Sequence, residues 1–215
     1  MRRFITGVIV VAACVFLVDV DCRAGEKTKV DWRLPLHVTY ASGFSDVTDY
    51  YERLLGVNVN AIPIGVAFSP YAEFDYSSWT GSAVGGQIGP IEFVYWESQT
   101  ISGSGTTSDS GLFLAVPLVL YYGQVFAPQK SVCPYVKIGY SFPIVSGDAV
   151  EKVSPGLFAA VGLDFMRQKR VGVGMEFAVD KSKVTFKEQN KPYGGYMPAE
   201  EIAPIDFAVS FRIVF

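Results

Sequence analysis

His37 is the only histidine in this 215-residue chain, and it lies in "PLHVTY", where Leu36, Val38 and Tyr40 alternate with Pro35, His37 and Thr39. A histidine can take or give a proton near neutral pH. It cannot build a metal site alone, and the cysteines do not help. Cys14 and Cys22 fall in an apolar leader, which leaves Cys133 without a partner for a disulfide or a zinc site. No phosphate-binding loop, metal-ligand cluster or dinucleotide motif occurs. No catalytic, cofactor-binding or metal-ligating residue is therefore assigned, and no cofactor is expected. The remaining groups able to act together are Asp31, Arg33, Glu92, Lys137, Asp164, Glu176, Asp180, Asp206 and Arg212. With His37 they share one property: each interrupts an apolar alternation on its small-residue side.

That alternation defines the elements. "VDWRLPLHVTY" places Val30, Trp32, Leu34, Leu36, Val38 and Tyr40 on one face. "PYVKIGYSFPI" gives Val136, Ile138, Tyr140, Phe142 and Ile144 against Lys137, Gly139, Ser141 and Pro143. "PGLFAAVGLDF", "RVGVGMEFAVD" and "PIDFAVSFRIVF" repeat the pattern, the last with Ile205, Phe207, Val209, Phe211, Ile213 and Phe215 together. Successive side chains of a strand point to opposite faces, so this is a sheet signature. Runs of about ten residues match tilted strands that cross a bilayer. The pattern predicts eight strands, near 30–42, 58–74, 83–97, 111–125, 134–146, 155–167, 170–186 and 204–215. Gly89-Pro90 marks a change of phase and predicts a bulge, and Ser69-Pro70-Tyr71 could be a turn. The uncharged stretch 110–129 could be read as a helical span, but Pro117 and Gly123 argue for a strand.

The connections alternate in character. "RQKR" (167–170) reads as a tight turn, while 98–111 and 187–200 read as long polar loops. One loop differs. "SDVTDYYERLLG" (45–56) has Ser45 as a cap, acids in its first turn and Gly56 as a stop. Val47, Tyr50, Tyr51, Leu54 and Leu55 share one face, which predicts a short helix in the first external loop, resting on lipid or packed over the barrel mouth.

Half the residues are hydrophobic, 14% are aromatic and only 18% are charged, below the roughly 25% of a soluble domain. The net charge of −3, with no basic block, argues against a nucleic-acid partner. Residues 1–24 read as a signal peptide: Met1-Arg2-Arg3, an uncharged run from Phe4 to Val18, and Cys22 and Ala24 as the small residues before a cut. The run is short for a spanning anchor. Lipoprotein processing at Cys14 would leave a very short leader, so cleavage after Ala24 is expected, with residues 25–215 as one domain.

A soluble β-sandwich would also alternate, but its outward faces would be rich in charge. Here the second face is dominated by Gly, Ala, Ser and Pro, suited to a narrow interior, while bulky aliphatics face the other way. Only a closed sheet satisfies every backbone group in hydrocarbon. The expectation is an all-β fold, a closed antiparallel transmembrane β-barrel. On this pattern the chain resembles the small eight-stranded outer-membrane barrels of Gram-negative bacteria, the OmpA-, OmpX- and OmpW-like set. The resemblance covers residues 25–215 and is one of pattern. It is sharpest at the final strand, where that family carries a terminal aromatic with hydrophobics two and four places earlier. Phe215, Ile213 and Phe211 match, while Ser210 replaces a frequent glycine and Ala208 a polar residue.

The resemblance implies residence in the bacterial outer membrane, contact with its lipid and lipopolysaccharide, and recognition of Phe211, Ile213 and Phe215 by the barrel-assembly machinery. A monomer is expected. Six acids and three permanent bases on the inward faces would form a salt-bridge network that fills the lumen. Eight strands leave an interior just filled by side chains, or with room for one small ligand. The expected function is non-enzymatic: structural, surface-interacting, or binding or passing a small solute. The alternative is a lipid A-modifying enzyme, an acyl hydrolase or acyltransferase, using His37. A His-x-Ser pattern near the carboxyl end is absent, and pairing His37 with Asp75, Ser77 or Ser78 would join a mid-strand residue to the opposite, periplasmic end.

Overall fold

The computed structural model describes residues 30–42, 44–56, 59–61, 64–74, 79–102, 105–166, 169, 171–191 and 194–214. The expected signal peptide (residues 1–24), most of the expected turn at 167–170, Asp75–Ser78 and Phe215 lie outside these residues.

Eight walls close on themselves. The first is β1 (Asp31–Arg33) and β2 (Pro35–Ala41). Helix α1 (Phe44–Leu55) leads to the second wall, β3 (Asn60–Ala61), β4 (Ile64–Phe68) and β5 (Tyr71–Phe74). The third is β6 (Thr80–Ile88) and β7 (Glu92–Ser102), and the fourth is the long β8 (Gly105–Phe126). β9 (Val132–Ser146) forms the fifth, followed outside the barrel by β10 (Val150–Ser154). The sixth and seventh are β11 (Gly156–Phe165) and β12 (Gly172–Asp180). Then come β13 (Lys183–Phe186), β14 (Gln189–Asn190), β15 (Tyr196–Met197), β16 (Glu200–Ile202) and the eighth wall, β17 (Phe207–Val214). Neighbouring walls pair antiparallel throughout. The ring closes where β17 pairs β2, with Phe211 opposite Val38 and Ile213 opposite Leu36.

The phase of each strand decides what faces where. In β12, Val173, Met175 and Phe177 point out while Gly174, Glu176 and Ala178 are buried inside. The second wall keeps one phase through Ser69-Pro70: Ser69 donates its N–H to the Pro35 carbonyl at 3.0 Å, so this segment is strand and not a turn. In the third wall the expected bulge is present. Gly89, at φ +93°, and Pro90 are both buried, after which Ile91, Phe93 and Tyr95 take the outward phase. Pro117 faces this bulge, and Gly89 N–H donates to its carbonyl at 2.9 Å. Its ladder partner Pro143 lies beyond the last β9–β11 pair, Ser141 with Gly156. Each proline thus sits where the ladder on its other side is already interrupted, and the missing N–H breaks nothing.

Two expectations change at the external end. Residues 98–102 and 105–111 are strand and not loop: β7 and β8 stay paired from Glu92 with Ala115 to Ser102 with Gly105, so the strands run on as a hairpin arm. Within 187–200, β14 and β15 form a second small hairpin. Beside these, β10, β13 and β16 form a three-stranded sheet above the rim.

Helix α1 begins at Phe44, one residue before the expected cap. The Ser45 hydroxyl donates to the Ser42 carbonyl at 2.9 Å rather than accepting an N–H. Gly56 ends it at φ +70°, its N–H bonded to the Glu52 carbonyl at 2.8 Å. The apolar face turns inward over the mouth: Val47, Tyr50, Tyr51 and Leu54 are buried with Phe113, Phe186, Val184 and Ile202. Of the two placements open to the sequence, the helix takes the barrel mouth.

Candidate functional site: the charged lumen

The inward phases of four walls bring four of the expected charges together. Lys137 on β9 donates to Glu176 Oε2 on β12 at 2.6 Å, and the Tyr135 hydroxyl reaches the same oxygen at 2.8 Å. Arg212 on β17 lies 3.4 Å from Glu176 Oε2 and 3.2 Å from Asp164 Oδ1 on β11. All four charged side chains are buried. Aromatic faces complete their surroundings. Lys137 Nζ sits 4.6 Å from the Tyr121 ring centre and Arg212 Cζ 4.7 Å from that of Tyr135. Tyr121 is held in turn by the Ser69 hydroxyl at 3.0 Å.

Small residues make this possible. A Cβ at Gly174 would lie 2.6 Å from Asp164 Oδ1 and 2.8 Å from Arg212 Cγ, and one at Gly162 would collide with the Tyr135 ring. The glycines on the inward faces are the space into which the charged side chains fold.

The other candidates take no part in these ion pairs, although His37 borders them. His37, opposite Arg212 in the β2–β17 ladder, is fully buried, and neither ring nitrogen has a hydrogen-bond partner among the described residues. Asp31 and Arg33 pair with each other at 2.7 Å on the first wall. Asp180 is buried and accepts the Ser182 N–H at 2.8 Å. Asp206 does not join the lumen network: it is paired with Lys181 beyond the end of β12, because residues 204–206 form a turn before β17 begins, and the same turn buries Ile205 in the core instead of placing it on the outward face. The Glu92 side chain lies outside the described residues. Among the described residues, no group of three or more His, Cys, Asp or Glu is arranged to hold a metal ion. Cys133 is buried, its thiol 3.1 Å from the Lys130 carbonyl.

The interior is filled. Below and above the network the enclosed spaces are each about 10 Å³, room for a single water. Toward the outside, the α1 cluster stoppers the mouth. Tyr51 packs at 5.8 Å from Phe113 and 5.9 Å from Phe186, and burial raises its hydroxyl's pKa above the ordinary value.

The exterior has the opposite character. Leu36, Val38, Ile64, Val66, Val84, Ile88, Leu112, Ile138, Ile144, Leu157, Val161, Val173, Phe177, Phe211 and Ile213 are all exposed, and they lie on walls all around the ring. A soluble protein rarely exposes one contiguous apolar patch of this extent, and a closed sheet with an apolar outer band is the form that spans lipid. The chain is an outer-membrane-type β-barrel.

No family model matches the chain, and no curated protein matches it. Solved structures to which the chain is similar include three barrels. The attachment invasion locus protein Ail of Yersinia pestis, solved with the heparin analogue sucrose octasulfate, is 9% identical with a TM-score of 0.44, over 88% of this chain and 100% of that one. Neisserial surface protein A is 11% identical with a TM-score of 0.41, over 86% and 97%. The outer membrane protein OprG from Pseudomonas aeruginosa is 10% identical with a TM-score of 0.44, over 89% and 98%. The assignment of fold rests on the strand pairing and exterior of this chain itself.

Sequence reasoning missed Glu73, Tyr71, Tyr121 and Tyr135 as interior groups. Tyr135 was readable, since it shares the phase of Lys137. Glu73 was hidden behind the uncertain Ser69-Pro70 segment.

Proposed function

We propose that this protein is a non-catalytic outer-membrane barrel that acts through its external face, with a closed lumen that serves as structural core. The observation that carries this reading is the double closure. A buried ion network spans the middle of the lumen, and an aromatic cluster on α1 seats in the mouth. The external surface then offers the partner-facing elements: α1, the three-stranded sheet and the β7–β8 arm. Lipid and lipopolysaccharide surround the apolar band, the protein works as a monomer, and assembly machinery reads the last strand through Phe211, Ile213 and Phe215. Residues 1–24 direct the chain to the periplasm and are cleaved after Ala24.

Planar-bilayer recording tests the closed lumen directly. The wild-type protein is expected to give no stable conductance, while Glu176→Ala combined with removal of residues 44–55 should give one. Steady channels from the wild type would sink the reading in favour of a solute conduit. The enzymatic alternative is disfavoured by the burial of His37, which leaves its ring out of reach of a lipid ester. Mass spectrometry of lipid A from cells with and without the protein decides that point: a profile that changes with wild type but not with His37→Ala would establish the enzyme.

A further inference from the structure

One buried carboxylate inside the barrel stands outside the ion pairs. Among the described residues, Asp164, Glu176 and Asp180 are buried acids facing the lumen, and Lys137 and Arg212 are buried bases. The two bases are committed to Glu176 and Asp164. Asp180 has no ion-pair partner among the described residues; it receives the Ser182 backbone N–H, and the Ser182 and Ser141 hydroxyls also lie against its carboxylate, none of which carries a positive charge. A buried carboxylate without a countercharge is costly, so something must neutralise it.

Asp180 borders the upper enclosed space of the lumen, and the other polar groups around that space are acceptors. Gln87 is only 6% exposed. Its Nε2 donates to the Gly89 carbonyl at 3.1 Å, which fixes the amide orientation and leaves Oε1 with no hydrogen-bond partner. Glu176 takes Tyr135, Lys137 and Arg212 all on Oε2. The Thr39 and Ser210 hydroxyls, 2.7 Å apart, give one hydrogen to each other and keep one between them. One free donor hydrogen thus faces an amide oxygen and two carboxylates, all lining a space of about 10 Å³.

We propose that this chamber binds one monovalent hard cation of sodium size, held by Gln87 Oε1, the carboxylates of Asp180 and Glu176, and the Thr39–Ser210 hydroxyl pair. All donors are oxygen, which selects a hard ion. A divalent ion is disfavoured, because Glu176 already shares its charge with Lys137 and Arg212, and Asp180 is the one uncommitted carboxylate. A single water could satisfy Gln87 but would leave the charge of Asp180 standing.

The test is thermal unfolding of the full-length protein in detergent micelles, in sodium chloride against choline chloride at matched ionic strength. A ligand that binds the folded state raises the midpoint with concentration. The expected result is a midpoint that rises and saturates with sodium and does not respond to choline. Asp180→Asn should abolish the sodium response while folding normally, and Gln87→Glu should move it to lower sodium concentrations. Should Asp180→Asn not fold, Gln87→Leu takes its place: it removes the amide oxygen and should likewise abolish the sodium response. Identical responses to sodium and choline, or a sodium response that survives in whichever variant folds, would each overturn the site. The first result would assign the chamber to a water and a protonated Asp180.

Discussion

Tyr50 of α1 stacks on Phe186 of β13 at 4.1 Å between ring centroids and 25° between planes, so the first external loop is anchored to the seventh wall's extension. The contact joins residues 136 positions apart in the chain (186 − 50), and Tyr51 meets the same ring edge-on. Phe186→Ala should therefore cost about 3–5 kcal/mol, the usual range for deleting a buried aromatic. Because the ion network lies elsewhere, the loss should appear first as faster proteolysis within 44–56, with the barrel still resistant and still heat-modifiable on gels. Uniform proteolysis of barrel and helix would show that α1 is not a separable stopper.

The same cluster sets an alkaline limit. Burial raises the Tyr51 hydroxyl pKa above its ordinary value of 10.0, with neighbouring Tyr50 and Asp148 adding to the effect. A folded-state pKa above the unfolded one means the contribution is whole below the unfolded value and is lost as pH climbs through the folded one. Proteolytic protection of α1 should accordingly hold to about pH 10 and fall above it. Tyr51→Phe should extend the protected range upward. An unchanged alkaline profile in that variant would place the titration on another group.

Lys137, Glu176 and Arg212 should behave as a unit. Removing one member leaves an uncompensated buried charge, which costs about 3–5 kcal/mol, whereas replacing partners together is far milder. Urea unfolding in micelles should thus find Glu176→Gln strongly destabilised. Lys137→Met with Glu176→Leu should lie closer to wild type than the sum of the two single variants. Strict additivity would mean that the 2.6 Å contact carries no coupling.

Gly174→Ala examines the space those charges need. The new methyl group would meet Asp164 Oδ1 at 2.6 Å and Arg212 Cγ at 2.8 Å. Asp164 belongs to the adjacent strand and cannot retreat far, so the substitution should destabilise by about 1–3 kcal/mol, as overpacking does. Gly86→Ala is the internal control. Its nearest neighbour would be the Val119 carbonyl at 3.4 Å, an ordinary contact, and its unfolding midpoint should stay near wild type. Equal effects at both positions would point to strand propensity rather than to the ion pair.

The barrel was legible because its two faces differ in kind. Period two, bulky outside and small inside, is written into most strands of the barrel wall, and the inward phase alone brought Lys137, Asp164, Glu176 and Arg212 together. What was hidden had a physical reason in each case. Asp206 keeps the alternating phase of β17 but falls in the turn that precedes it, where periodicity no longer reports position. The β7–β8 arm is rich in Ser, Thr and Gly, which suit a loop by composition, and only its pairing partner reveals it as strand. α1 was recognisable as amphipathic, yet a helix face does not say whether lipid or a barrel mouth receives it. The large aromatics Phe113 and Phe186 decide that, and both arrive from distant parts of the chain.

The outward phase makes its strongest prediction at Phe211, 64% exposed on the closing strand and opposite Val38. Phe211→Arg would set a cation among hydrocarbon, at about 2–4 kcal/mol if the residue lies near the bilayer midplane. One position earlier, Ser210 faces the lumen and shares a hydrogen with Thr39, so Ser210→Ala exchanges one hydroxyl for a methyl inside the barrel and adds no charge to the lipid face. Folding into lipid vesicles should therefore fall sharply for the first variant and little for the second, although the two sites are adjacent. Deleting Phe215 probes a different step, recognition by the assembly machinery. It should reduce the amount that reaches the outer membrane of cells while leaving spontaneous folding into vesicles nearly intact. If Phe211→Arg inserts as well as Ser210→Ala, the outer face of β17 does not contact lipid and the closing seam is covered by something else.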